Sequence, residues 1–335
     1  MNVFAPALLI ATLSALNGCT AMPSSKDPDA VLTAPQTQYD ARIIQPENNT
    51  VLTPEQLAQK LIDTDVVIVG EYHGHHGSHL LQSRLQTTLF QQRPEQILSM
   101  EQFNLDRQDQ LNRYLEGETG ETEMIEDADA WDNYRASYRP LVEFARRHNL
   151  PVIAANAPAD VVRCVGRKGP EYLERVSDSL KQKLPSAPFM DTPAYREKFM
   201  AAIGASHQAD DTMSERMENT YKAQLLRDNT MAARILQARA EHPGHQVLHL
   251  TGTFHSEDGL GTVALLKQRA PELSVAVISP VFWPSDINQP PLDSNRPKGD
   301  FVYFIQPLPE EFRDAERERE AMRARFSRST DRSCD

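Results

Sequence analysis

Two stretches of this chain end alike. Val67-Ile68-Val69-Gly70-Glu71-Tyr72-His73 and Leu248-His249-Leu250-Thr251-Gly252-Thr253-Phe254-His255 both run from apolar residues through a glycine to a histidine. Imidazole titrates near neutrality and is a common metal ligand. Two such histidines, with Glu71 beside one of them, support three kinds of chemistry. They could ligate zinc or iron. Glu71 could orient or deprotonate a water beside His73. A histidine could approach haem iron, with polar neighbours at the propionates. His75, His76 and His79 follow closely, but there is no H-E-x-x-H and no paired-cysteine signature, so a dedicated structural zinc site is not expected. His75 and His76 read as loop residues.

For these residues to meet, the elements carrying them must share an edge. Val66–Val69 is a β-branched run of the kind buried on both faces of a sheet. Gly70 and Gly252 are expected to turn the backbone sharply after their strands. A helix follows from Ser78 to Gln92, then a strand over Gln96–Met100 ending on Glu101. A third strand, Val152–Ala155, ends on Asn156. Further strands are expected over Gln246–Thr251, Ser274–Ser279 and Asp300–Ile305. Strands alternating with helices imply a mostly parallel sheet flanked by helices, an α/β fold. Ligands of such sheets bind outside the carboxyl ends of the strands, where Glu71, His73, Glu101, Asn156 and His255 all fall. Between about 160 and 241 no strand is evident, and the segment reads as a helical insert capping that edge. Its longest helix, from about Asp211 to Arg239, carries Gln224 and Asp228 inside an otherwise apolar stripe with Met213, Met217, Tyr221, Met231 and Ile235. Such a stripe is ordinarily core, yet polar groups within it need partners, which the strand-end histidines or a ligand would supply.

The chain has 335 residues and a net charge of -12, from 47 acidic and 35 basic side chains. That balance disfavours nucleic acid as a partner. Serine-hydrolase and nucleotide-binding readings lack their motifs: there is no G-x-S-x-G elbow, P-loop or G-x-G-x-x-G after a strand. Val3–Leu16 is apolar, uncharged and too short to span a bilayer. It leads into Leu16-Asn17-Gly18-Cys19, which resembles a bacterial lipobox, so residues 1–18 read as a signal peptide and Cys19 as the lipidated residue. Thr20 after the Cys favours the outer membrane. Residues 19–50 read as a flexible tether, 51–309 as the α/β domain with its insert, and 310–335 as a charged helix and tail. Cys164 and Cys334 could pair in an exported protein, and two free thiols fit equally well.

The strand-end motifs together resemble a known family, the ChaN-like haem-binding lipoproteins of the Tiki and erythromycin-esterase superfamily. The similarity rests on Gly70-Glu71-Tyr72-His73 with His79, Ser99-Met100-Glu101-Gln102-Phe103 with Gln108, and Ala154-Ala155-Asn156-Ala157-Pro158. It continues through Gln224-Leu225-Leu226-Arg227-Asp228-Asn229-Thr230-Met231 and Leu250-Thr251-Gly252-Thr253-Phe254-His255. The resemblance implies a lipid-anchored haem binder in iron uptake, with Glu71, His73, His79, Glu101, Asn156, Gln224, Asp228 and His255 around the ligand. His73 and His79 are the candidate iron ligands, with Tyr134, Tyr138, Tyr195 and Tyr221 as alternatives. An outer-membrane haem transporter and a second copy of the chain are the candidate partners. The competing expectation is a metal-dependent hydrolase using Glu71, His73 and His255 with Mn or Zn.

Overall fold

A computed structural model describes residues 32–204, 211–330 and 333–334; the expected signal peptide and Cys19 lie outside them. The sheet contains β1 (Arg42–Gln45), β2 (Thr50–Leu52), β3 (Val66–Glu71), β4 (Gln96–Asn104), β5 (Val152–Asn156), β6 (Gln246–Gly252), β7 (Val275–Phe282) and β8 (Phe301–Ile305). Their order is β2-β1-β8-β7-β3-β6-β4-β5. Strands β3 to β8 are parallel, and β1 and β2 add an antiparallel hairpin beside β8. The β-branched run of β3 is fully buried and sits between β7 and β6, as a strand covered on both faces must. Register pairs Gly70 with Thr251 and Glu71 with Gly252, so β3 and β6 end at the same level.

Twelve helices are described: α1 (Pro54–Lys60), α2 (His76–Gln92), α3 (Gln108–Leu115), α4 (Glu121–Asp127), α5 (Tyr134–Ser137), α6 (Arg139–Arg147), α7 (Ala159–Lys168), α8 (Asp178–Lys181), α9 (Pro193–Gly204), α10 (Asp211–Glu241), α11 (Thr262–Arg269) and α12 (Ala315–Thr330). Strand side chains alternate between two helical layers. Val67, Val69, Leu98, Met100, Leu248 and Leu250 pack with Leu57, Leu85, Leu111 and Leu141 on one face. Val66, Ile68, Ile97 and Val247 pack with Ala232 and Ile235 of α10 and Val263 and Leu266 of α11 on the other. Each fully buried aliphatic contributes about 1.5–3 kcal/mol of transfer free energy.

Several elements differ from expectation. Residues 19–50 are not a structureless tether throughout, because β1 lies within that range and Ile43 and Ile44 are buried. These strands are too short and polar in sequence to announce themselves, and pairing with β8 decides them. The acidic stretch after Gly117 holds α4, with the Gly120 N–H donating to Glu123 Oε2 at 2.6 Å. Between Tyr134 and Arg147 the chain forms two helices, α5 and α6, since Pro140 has no N–H to continue the ladder. Gly70 and Gly252 lie inside their strands without positive φ, so they do not turn the chain; they admit close packing. The helical insert is observed, but α10 serves the strand ends only as far as Asp228 and Met231. From Ala232 onward it is an ordinary flanking helix of the sheet.

Gln108 serves the free edge of β5. It accepts from the Ala154 N–H at 2.8 Å and donates to the Val152 carbonyl at 2.9 Å, standing in for a neighbouring strand and blunting the edge.

Cys164 on α7 and Cys334 are joined in a disulfide across a sequence separation of 170. Closing so long a loop removes much denatured-state freedom. Cys334→Ser is expected to cost about 2–4 kcal/mol, read as a lower denaturation midpoint, with reductant lowering the wild-type midpoint to match. A midpoint indifferent to reductant would contradict the pairing.

Candidate functional site

At the end of β3, Glu71 is buried and takes hydrogen bonds from four side chains. His73 Nδ1 lies 2.8 Å from Oε1, Tyr138 donates to the same oxygen at 2.6 Å, Gln102 donates to it at 3.2 Å, and Gln82 donates to Oε2 at 2.6 Å. Burial by itself would raise the carboxyl pKa. The hydrogen bond from His73, the nearby His79 and the Tyr138 hydroxyl outweigh burial and hold the pKa below the usual range. Glu71 is therefore an ionised acceptor, and His73 must present Nδ1–H to it.

This fixes His73. Its side chain is 43% exposed, and the ring meets the edge of Trp131 at 4.8 Å between centroids. Among the described residues Nε2 takes no hydrogen bond, and it lies over Gly252, where a β-carbon would come within 2.8 Å of it; only glycine allows that approach. Burial would lower the His73 pKa, but the Glu71 hydrogen bond and the charges of Glu101 and Glu71 prevail and raise it above 6.5.

The other histidines of the tract are not available. His79 accepts the Gly74 N–H on Nε2 at 3.2 Å and places Nδ1 3.0 Å from Gln82 Oε1. Both ring nitrogens are thus engaged, and Nδ1 braces Gln82 against Glu71. His79, a candidate iron ligand by sequence, stands here as a positioning residue for Gln82. His75 is buried rather than in an exposed loop: it accepts the Gly77 N–H at the start of α2 and contacts the Gln306 carbonyl at 2.8 Å. His76 is exposed and stacks on Tyr39.

The second half of the site is a buried charge chain. His255, in the turn after β6, places Nδ1 2.8 Å from Asp228 Oδ1 and Nε2 3.4 Å from Glu101 Oε1. Burial opposes the charged ring, but the two carboxylates overcome it and push the pKa up to about 10. His255 is an imidazolium at neutral pH, neither a base nor a ligand. Glu101, at the level where β4 leaves its register with β6, accepts from Thr251 Oγ1 and the Gly252 N–H, both at 2.7 Å. Its pKa would be raised by burial but is driven far below the usual range by His255, His73 and the Gly252 N–H. Asp228 also accepts from Tyr195 at 2.8 Å and Thr262 at 2.9 Å, and Gln224 lies 3.2 Å from His255 Nδ1.

The structure thus brings together Glu71, His73, His79, Glu101, Gln224, Asp228 and His255. Asn156 ends β5 at the same edge, but its side chain turns back to the Ala157 N–H at 2.9 Å. The four tyrosines are not poised as tyrosinate ligands. Tyr138, Tyr195 and Tyr221 donate to Glu71, Asp228 and Asp191, Tyr134 is buried, and all four pKa values are raised, first by burial. Sequence reasoning missed Gln82, Gln102 and Thr251 as partners of the carboxylates. The signal for Gln82 was its place three residues after His79 on a helix.

Among the described residues, no three His, Cys, Asp or Glu side chains are arranged to hold a metal ion. The donors of the expected Mn or Zn centre are paired with one another instead: Glu71 with His73, and His255 with Asp228 and Glu101.

A family model described as haem-binding uptake, Tiki superfamily, ChaN, matches residues 57–266. The chain belongs to the ChaN family. A ChaN structure from Campylobacter jejuni, described as showing cofacial haem binding, superposes with a TM-score of 0.59 at 16% identity, covering 80% of this chain and 98% of that one. An erythromycin esterase in an open conformation aligns at 13% identity and a TM-score of 0.46, covering 84% and 86% of the two chains. In sequence, the protein RETICULATA-RELATED 5, chloroplastic, of Arabidopsis thaliana is 24% identical over 196 residues, 54% of this chain. The match spans 25% of that relative's length. The motifs that carry the ChaN resemblance, from Glu71 to His255, all lie inside the matched segment.

Proposed function

We propose that this ChaN-family chain binds haem through His73 and takes part in haem uptake from a lipid anchor at the outer membrane, without turning the haem over. The observation that carries the reading is His73 itself. A buried carboxylate fixes its Nδ1–H, the ring is open to solvent, and its Nε2 is the histidine nitrogen of the cluster left for an axial ligand. Carboxylate support of this kind orients a ligating imidazole and makes it more basic. Haem, when bound, supplies the iron; His73 would hold it, with Trp131 beside the ring as an apolar contact for the macrocycle. The anchor reading rests on Cys19 closing an apolar stretch, and no described helix is long and apolar enough to cross a membrane. The Cys164–Cys334 bridge supports an oxidising compartment. Cofacial haem in the Campylobacter protein supports a second copy of the chain as partner, and an outer-membrane transporter is the proposed recipient or donor of haem.

Titrating the chain from residue 20 onward with haem tests this. His73→Ala should abolish the Soret shift, while His79→Ala should weaken it only through Gln82 and Glu71. Loss in both variants alike would contradict the distinct roles. Iron needs the deprotonated Nε2, and the His73 pKa is raised above 6.5. Haem affinity should therefore fall as pH drops through a value above 6.5, read from Soret titrations across pH. No Soret shift, with Mn- or Zn-dependent hydrolysis lost in Glu71→Ala, would replace the binding reading with the hydrolytic one.

A further inference from the structure

Arg227 lies on α10 between Gln224 and Asp228, and its neighbours at helical spacing face the sheet. Gln224, three residues earlier, contacts His255, and Met231, four later, places its sulfur 3.9 Å from Thr251 Oγ1, both at the carboxyl edge; Arg234, seven later, donates to the Ala154 carbonyl at 3.2 Å, midway along β5. Side chains at these intervals share one helix face. Arg227 therefore projects toward the strand ends between His255 and β5, where the carboxylates of Glu101 and Asp228 act on it.

Among the described residues its guanidinium has no partner. Arg234 and Arg239 of the same helix donate to backbone carbonyls and to Gln108 or Asp65. Arg227 is half-buried, yet among the described residues it makes no hydrogen bond and no ion pair, and none of its nitrogens is sealed from solvent. The nearby carboxylates already accept elsewhere: Glu101 from Thr251 and Gly252, Asp228 from His255, Tyr195 and Thr262. Burial lowers its pKa and so costs the charge, with no local bond in return. A planar fork of five donors left open beside a ligand site matches a carboxylate bidentately.

We propose that Arg227 is a carboxylate-binding subsite at the carboxyl edge of the sheet, clamping an anionic group of the ligand while His73 holds its other end. The identity of the ligand rests on the haem reading above, under which the group is a propionate; the subsite itself does not.

The test compares haem with haem dimethyl ester, whose carboxylates are blocked, on wild type, Arg227→Gln and Arg227→Lys. Wild type should prefer haem by about 10-fold, the worth of one good charge-assisted pair. Arg227→Gln should bind the two porphyrins equally, and Arg227→Lys should keep part of the preference. A wild type without preference, or a preference that survives in Arg227→Gln, overturns the subsite and leaves haem binding standing. If wild type binds neither porphyrin, the decision passes to thermal melting in sodium propionate against sodium chloride at equal ionic strength. Stabilisation by propionate in wild type, absent in Arg227→Gln and partly kept in Arg227→Lys, then sustains the subsite while the haem reading falls. Equal melting shifts in wild type and Arg227→Gln, or none in wild type, sink both.

Discussion

Glu71→Gln is expected to lower haem affinity by about 10–100-fold, the usual effect of losing the group that orients a ligating histidine. The substitution keeps the size of the side chain and one acceptor oxygen. It removes the charge that holds His73, and it sets an amide N–H₂ against the Gln82 donor that now lies 2.6 Å from Oε2. Glu71→Ala should be worse. It leaves Gln82, Gln102 and Tyr138 without their acceptor in a buried setting, at about 1–3 kcal/mol for each donor stranded. A pH series separates support of His73 from a merely structural loss. The Glu71 hydrogen bond and charge both raise the His73 pKa, so in Glu71→Gln the acid limb of haem binding must move to lower pH. If affinity drops but the acid limb stays where wild type has it, Glu71 does not act through His73.

Asp228→Asn should be the most damaging single change to stability. Asp228 and Glu101 flank the His255 imidazolium in a site closed to water, with the three groups nearly fully buried. Removing one partner from a buried charge set strands the remainder and costs about 3–5 kcal/mol, measurable by denaturant titration at pH 6. The His255 pKa, about 10 in the intact chain, should fall toward the ordinary value, which imidazole NMR would follow. A cost under about 1 kcal/mol, below the range for a buried pair, would show that the chain of charges is not what holds this corner.

The same groups fix the pH range over which they help. His255 is raised from 6.5 to about 10, so its contribution is complete below 6.5 and is lost as pH rises toward 10. Glu101 is depressed from 4.5, so its contribution is present above 4.5 and lost as pH falls below it. Together they stabilise the chain most between 4.5 and 6.5. In Asp228→Asn the alkaline loss should shift to lower pH.

Much of this architecture is legible in the residues themselves. The run Val66–Val69, the Gln246–Thr251 strand and the apolar segments before Glu101 and Asn156 announce a parallel sheet, because burial on two faces demands unbroken hydrophobicity. Glu71, His73, Glu101 and His255 follow directly, since a polar residue just past such a run must lie at the carboxyl edge. Asp228 and Gln224 are legible as polar breaks in the stripe of α10. The hairpin of β1 and β2 is not legible, since edge strands of three and four residues need a neighbour's backbone more than a pattern of their own.

The chemistry of each site residue belongs to the tertiary structure. His73, His79 and His255 carry the same imidazole, yet one keeps an open nitrogen, one braces a glutamine with both nitrogens engaged and one is an imidazolium. Those outcomes depend on Gln82, Tyr138, Gly74 and Asp228, brought in from other elements by packing, just as Cys334 is brought to Cys164 across 170 residues. Residue order determines which groups reach the edge of the sheet, because strand and helix periods are local. Which nitrogen holds a proton is decided through space, by the charges and hydrogen bonds that close around it once water is excluded.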